Sequence, residues 1–561
     1  MALLRTKVSG LSLAVAVMFL SACGGGNDTE NVAETPVETQ AQASLVGRFA
    51  VGVSEGTSEI IAFHQASKSA FITVDTDAKP SSFQRVSLSE LASTPLASPT
   101  SASNLSSGAT TSVAADVNDG SFTAGGVQAL AISGNLLAIA VKATPKTANG
   151  VIAFYRLDAQ GDAFYLKKVE VGSLPDGIAF SPDGTKLVVA NEGEIDGDED
   201  FVLAVDKSND PLGTISIIAI ANEAPADLAT TLNFTDFDAG GARASELPAE
   251  VRIGISDNHF SRDAEPEYVS VSADSKLAYV SLQESSALAE VDLANNRISK
   301  IIALGAKDHG LAANALAPSD RVDPPYTLKS YSNLFAYYMP DGIASFSVGG
   351  VNYVITANEG DDRDDFLATS ETDRVKDLSL DPTAFPTASV LQQDSELGRL
   401  TVFNSSGDTD GDGDFDRLYA LGGRSFSIVN AATGQIVYDS GSKLEEMVYS
   451  SLSTSLLSAS RVKGRLDNKG PEPESVVVGQ VGTKTYAFVG LERTSAVVMV
   501  DVTNPVAPEF VRMLMNTTDL ADGDIAPEGF AFVPAANSPT GKALLLVGYE
   551  DSGTLAVYEI N

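Results

Sequence analysis

Downstream of about residue 45, short runs of Val, Ile, Ala, Tyr and Phe alternate with polar residues, and no long stretch places apolar residues at helical spacing. A period of two predicts strands, and β-branched and aromatic side chains favour them. One unit recurs: Pro, an acidic residue, a short alternating strand, a turn, a second apolar strand, and a polar end carrying Glu. It reads LPDGIAFSPDGTKLVVANEGE over 174–194, EPEYVSVSADSKLAYVSLQE over 265–284 and MPDGIASFSVGGVNYVITANEG over 339–360. It returns as EPESVVVGQVGTKTYAFVGLER over 472–493 and APEGFAFVPAANSPTGKALLLVGYE over 526–550. The second copy continues through SALAEVDLANNRISKIIAL, so each unit supplies about four strands. Weaker copies stand at 58–77 and 125–144.

A lone four-stranded sheet leaves apolar faces and free edges, and a closed ring of such sheets buries both. The pattern therefore predicts an all-β fold, a single β-propeller over 45–561, with seven blades, or eight if 416–441 forms its own. Closure is expected to pair a strand near Phe49–Val53 with the C-terminal TLAVYEI. The repeats are unevenly spaced, which predicts long insertions at about 195–263, 304–338, 361–397 and 442–470.

The first residues follow a different rule. Arg5 and Lys7 precede the apolar run Leu11–Leu20, which has the length of an export signal and is too short for a resident membrane helix. It ends in LSAC, which resembles the lipobox of bacterial lipoproteins, and Cys23 is the single cysteine. The expectation is a signal peptide over 1–22, lipidation at Cys23 and a Gly-rich, acidic tether over 23–44. The membrane then becomes a partner, and Gly24, which is not an acidic retention signal, points to the outer membrane. With Lys+Arg 37 against Asp+Glu 74 the net charge is -37, which repels nucleic acid and favours cations.

First strands of propeller blades line the central channel, so the recurring acids should form a ring there. Asp176, Glu267, Asp341, Glu474 and Glu528 start first strands, and Glu192, Glu284, Glu359, Glu492 and Glu550 end second strands. Asn191 and Asn358 stand beside two of these as neutral oxygen donors, and Asp361 follows Glu359. Such oxygens select hard cations, and Ca²⁺ tolerates irregular geometry better than Mg²⁺. A second candidate is DTDGDGDFD, in which Asp408, Asp410, Asp412 and Asp414 alternate as in the first half of an EF-hand loop. The twelfth position is Tyr419 where that loop has Glu, so a distant acid or water must complete the shell. Three scattered histidines give no zinc spacing. GVSEG at 52–56 fits G-x-S-x-G but lacks the α/β elbow that motif needs.

MPDGIASF…YVITANEGDDRD, LGAKDHGL, DTDGDGDFDRLYALGGRSFSI and GPEPESVVVG together resemble the choice-of-anchor I domain family, from about residue 45 to the end. That family is similar to mesenchyme-specific cell surface glycoproteins and to an atypical cyanobacterial alkaline phosphatase. The resemblance implies a propeller, surface attachment and a face for a protein or small-molecule ligand, phosphate esters included. A phosphatase here would work through a metal-activated water, with Arg363, Arg424 or Arg493 clamping the phosphate and Lys307, Asp308 and His309 overhanging the mouth.

Overall fold

Alternation turns into sheets wherever a short turn lets the next apolar run fold back on the last. A computed structural model describes residues 41–51, 57–76, 79–196, 209–255, 259–364 and 366–561. The expected signal peptide, Cys23, nearly all of the tether and the GVSEG run lie outside the described residues.

Blade 1 consists of Thr57–His64, Ser69–Thr76, Lys79–Ser87 and Ser106–Ser112, and blade 2 of Ala124–Ser133, Leu136–Ala143, Asn149–Leu157 and Ala163–Ser173. Blade 3 is Pro175–Phe180, Lys186–Asn191 and Thr214–Ala221, edged by Ala224–Pro225 and Thr230–Asn233. Pro266–Val271, Leu277–Leu282, Ala287–Asp292 and Arg297–Ala303 form blade 4. Blade 5 takes Ile343–Val348, Val351–Asn358, Ser425–Asn430 and Gln435–Asp439, and blade 6 takes Pro473–Val481, Lys484–Leu491, Ala496–Asp501 and Glu509–Met515. Blade 7 joins Pro527–Val533, Ala543–Tyr549 and Thr554–Ile560 to the N-terminal strand Ala43–Ala50.

Each innermost strand touches the innermost strand of the next blade, and blade 7 touches blade 1, so seven blades close a ring. Closure is the expected one, with Phe49 opposite Leu555 and Ala43 opposite Ile560. Among the described residues no eighth blade forms, and 416–441 does not make one of its own. Leu418–Ala420 joins a separate five-stranded sheet with Ala306–Asp308, Leu334–Tyr337, Thr372–Arg374 and Thr401–Phe403, while Ser425–Asn430 and Gln435–Asp439 complete blade 5. The core lies between blades. Val188, Ala190, Ile215 and Ile217 of blade 3, for example, pack on Val269, Ala278 and Val280 of blade 4.

Strand direction alternates within a blade, so the turns sort by face. The turns between first and second strands and between third and fourth strands, most of them short hairpins, share one face. Connections from second to third strands, and from each blade to the next, share the other, and the long insertions fall there except 88–105, which joins the third and fourth strands of blade 1. We call these the hairpin face and the insertion face. Innermost strands begin at the insertion face, which places their first residues under the insertions. Among the described residues no helix is long and apolar enough to cross a membrane.

Candidate functional site

Five innermost strands start with the same backbone step. Leu174, Glu265, Met339, Glu472 and Ala526 each precede the strand's Pro and have φ between 33 and 64°. Non-glycine residues enter this left-handed region at a cost of about 1–2 kcal/mol, so the repeated step is held by its surroundings. Register then shifts across the acid, between Pro175 and Ile178, Pro266 and Val269, Pro473 and Val476, and Pro527 and Phe530. A bulge re-aims a side chain, and here it turns the acid toward the channel.

Asp176, Glu267, Asp341, Glu474 and Glu528 are deeply placed yet partly exposed, because they face the lumen. Glu59 completes the set in blade 1: Gly529 lies against its carbonyl as Gly177 lies against that of Glu267 and Gly342 against that of Glu474. Gln128 takes the corresponding bulge in blade 2. Glu59 is absent from the sequence expectation because its strand has no leading Pro; the surviving signal was an acid opening an alternating strand.

Burial pushes the Glu59 and Asp176 carboxyls up to about 7. It lifts Glu267, Asp341, Glu474 and Glu528 well above the carboxylate range, and neighbouring carboxylates add to the effect. The acids ending second strands behave alike: burial raises Glu192 strongly, Glu284 to about 7 and Glu492 to about 8, and it also raises Glu359. Glu267, Glu284, Glu474 and Glu528 each keep a buried Oε2 without a hydrogen-bond partner among the described residues. Water-excluded carboxylates in this number need protons or cations.

Oxygens of Asp341, Glu359 and Glu474 lie within 4.8 Å of one another and could hold a metal. Glu359 Oε1 also accepts from Lys469 Nζ at 2.7 Å and Oε2 from Gln283 Nε2 at 3.2 Å, which leaves lone pairs on both oxygens. Glu359, Glu472 and Glu492 form a second trio. Within it Glu472 is already paired: burial alone would raise it, but Lys469, Arg465 and Arg493 pull it below its ordinary value.

Other candidates are placed differently from the expectation. Asn358 is not aimed at a cation: its Nδ2 donates to Ser425 Oγ at 3.1 Å and Ser427 Oγ at 2.8 Å, and its Oδ1 accepts from Thr356. Asn191 likewise donates to Ser216 Oγ at 3.0 Å inside blade 3, leaving its Oδ1 unpartnered. Neighbours in a strand point to opposite sides, so an Asn and the Glu after it cannot both face the channel. Asp361 is exposed, 3.4 Å from Lys469, and outside the metal-spaced trio.

Arg363 and Arg424 are no clamp at the mouth, for both are buried and engaged. Arg363 pairs with Glu265 and Asp263. Arg424 donates to Glu445 and to the carbonyls of Ala317, Leu466 and Asn468. Lys307 and His309 are buried too, Lys307 donating to the carbonyls of Gly423 and Gly441. Arg493 stays partly exposed beside Glu472 and Glu492.

In the DTDGDGDFD loop, Asp408 Oδ1 accepts from the Gly411 amide at 2.7 Å and Oδ2 from Gly413 at 3.0 Å. The loop curls, but it groups Asp408 and Asp410 with Asp416, and Asp414 with Asp416 and the distant Asp381; Asp412 belongs to neither set.

Fold and site together define a seven-bladed propeller whose channel is ringed by carboxylates at its insertion face. The choice-of-anchor I domain model matches residues 59–505, and the chain belongs to that family. With it the chain falls among exported, cell-surface propellers. Gigasin-3a of Magallana gigas is 32% identical over 190 residues, 30% of this chain and 66% of that protein, so the match spans just under two thirds of this relative. Hydrazine synthase of Kuenenia stuttgartiensis superposes with a TM-score of 0.43 at 11% identity, over 90% of this chain and 96% of that one.

Proposed function

We propose that this chain is a surface propeller, anchored through lipidated Cys23, that binds Ca²⁺ at the channel mouth and offers its insertion face to a ligand or partner. The observation that carries the cation is the convergence of Asp341, Glu359 and Glu474 from blades 5 and 6, together with the unpartnered Oε2 of Glu474. Carboxylate oxygens alone, irregularly spaced, suit Ca²⁺ better than Mg²⁺. The Asp408–Asp416 loop is the second place for the same ion, with Asp381 as the distant acid.

The test is a calcium titration of chelator-treated protein, followed by melting temperature and metal analysis. Bound ligand stabilises the folded state by mass action, about 2.7 kcal/mol at a hundred times Kd. Glu474→Gln and Asp341→Asn should each abolish the response assigned to the mouth. A protein that takes up no Ca²⁺ and melts at one temperature throughout removes this reading.

Calcium-dependent phosphoester hydrolysis is the second reading, and it rests on Arg493 standing partly exposed beside the acidic trio. Turnover of p-nitrophenyl phosphate at alkaline pH that disappears with chelator and with Arg493→Met supports it; no turnover in calcium refutes it.

A further inference from the structure

Beneath the carboxylate ring the channel changes character. A cavity of about 250 Å³ is lined by the innermost strands of blades 7, 1, 2, 3 and 4, and Tyr268 supplies the single polar side chain of that lining. Ile60, Ala131, Ile178, Ala179 and Phe530 form much of its wall. Blades 5 and 6, which supply Asp341, Glu359 and Glu474, contribute nothing to it, so the candidate metal site and this lumen occupy different flanks of one channel.

The roof of the lumen is acidic. Glu59, Asp176 and Glu267 are the residues just before its wall in three of the five strands, and Glu528 stands two residues before Phe530 in a fourth. The unpartnered oxygens of Glu267 and Glu528 lie here, and Glu284, 5% exposed with its own unpartnered Oε2, presses electrostatically on Glu267. A metal ion at this flank would meet oxygens above and hydrocarbon below, and the hemisphere facing the wall would lose its ligands. An alkylammonium reverses the mismatch, with three donors for the carboxylates and a carbon body for the lumen.

We propose that this flank binds organic ammonium ions bearing an apolar body, the cation on Glu59, Asp176, Glu267 and Glu528 and the body in the lumen beneath. A wider recess of about 690 Å³ on the hairpin face shares Ile132 with the lumen and is walled by Phe63 and Phe532, which gives such a ligand a way in. The site stands apart from the calcium reading, because its residues come from other blades.

Calorimetry of the whole chain with n-butyl-, n-hexyl- and n-octylammonium tests it. Affinity should rise about fourfold per methylene until the lumen is full. n-Hexanol, lacking the charge, should bind about tenfold more weakly. Glu267→Gln with Glu528→Gln should reduce hexylammonium binding and leave hexanol unchanged. Ala131→Phe should abolish the dependence on chain length, and Ala131→Val, a milder filling that guards against misfolding, should shift its plateau to shorter chains. Glu474→Gln should remove the calcium response and leave hexylammonium binding intact. Equal affinity for all chain lengths, or binding that survives both Ala131 variants unchanged, overturns the proposal, as does joint loss of calcium and hexylammonium in Glu474→Gln.

Discussion

Arg424 heads the large side chains that are fully buried, and its guanidinium ties the insertion after blade 5 to the start of the third strand of that blade. It faces Glu445 at 3.3 Å, with the carbonyls of Ala317, Leu466 and Asn468 taking the remaining donors. Removing one partner of a buried pair strands the other. Arg424→Met should cost about 3–5 kcal/mol in urea unfolding, and the double change with Glu445→Leu should recover part of it. At this scale the sequence was readable where a motif marked the residue and opaque where only folding supplied a neighbour. Pro-acid pairs announced five members of the ring. Lys469, which reaches Glu359 from 110 residues away, belongs to no motif, and neither does Arg252 on Glu371. Asn358 misled because adjacency along a strand says nothing about the shared side.

The innermost strand is the element that makes the ring possible, since it must pack closely on its neighbour and still turn an acid inward. Gly529 shows the tolerance: a Cβ there would lie 1.8 Å from the carbonyl oxygen of Glu59, across the junction of blades 7 and 1. Gly529→Ala should therefore destabilise by about 2–4 kcal/mol, measured by thermal or urea unfolding, as overpacking against backbone does. Gly541→Ala, at φ 74° with open space around it, should cost only about 1 kcal/mol. Blade strands were legible because each is long enough to show a period of two. The five-stranded insertion sheet was not, for Thr372–Arg374, Thr401–Phe403 and Leu418–Ala420 are too short to carry a period, and their partners lie far apart in sequence.

Across the whole molecule, the buried carboxyls set a pH dependence opposite to that of ordinary ion-paired acids. Between about pH 4.5 and 7 the folded chain holds the Glu59 proton that the unfolded chain releases, and Glu492 extends the window to about 8. Stability then falls as pH rises, by at most about 1.4 kcal/mol per pH unit for each such proton. His309, which burial pushes down to about 3, works the other way between that value and 6.5, as a single group against several. In chelator the melting temperature should drop from pH 5 to pH 8, and calcium should lessen the drop; a melting temperature that climbs over this range contradicts the protonated ring.

The pairing of Ala43–Ala50 with Thr554–Ile560 also governs how the chain must be made. Ala43–Ala50 waits, with hydrogen-bonding groups bare, until its far-downstream partner arrives, and bringing segments so distant in sequence together is entropically costly and slow. An exported polypeptide emerging in order therefore carries an unguarded adhesive edge until all seven blades have been made. Escorting that edge, rather than any single blade, is the task a chaperone would face.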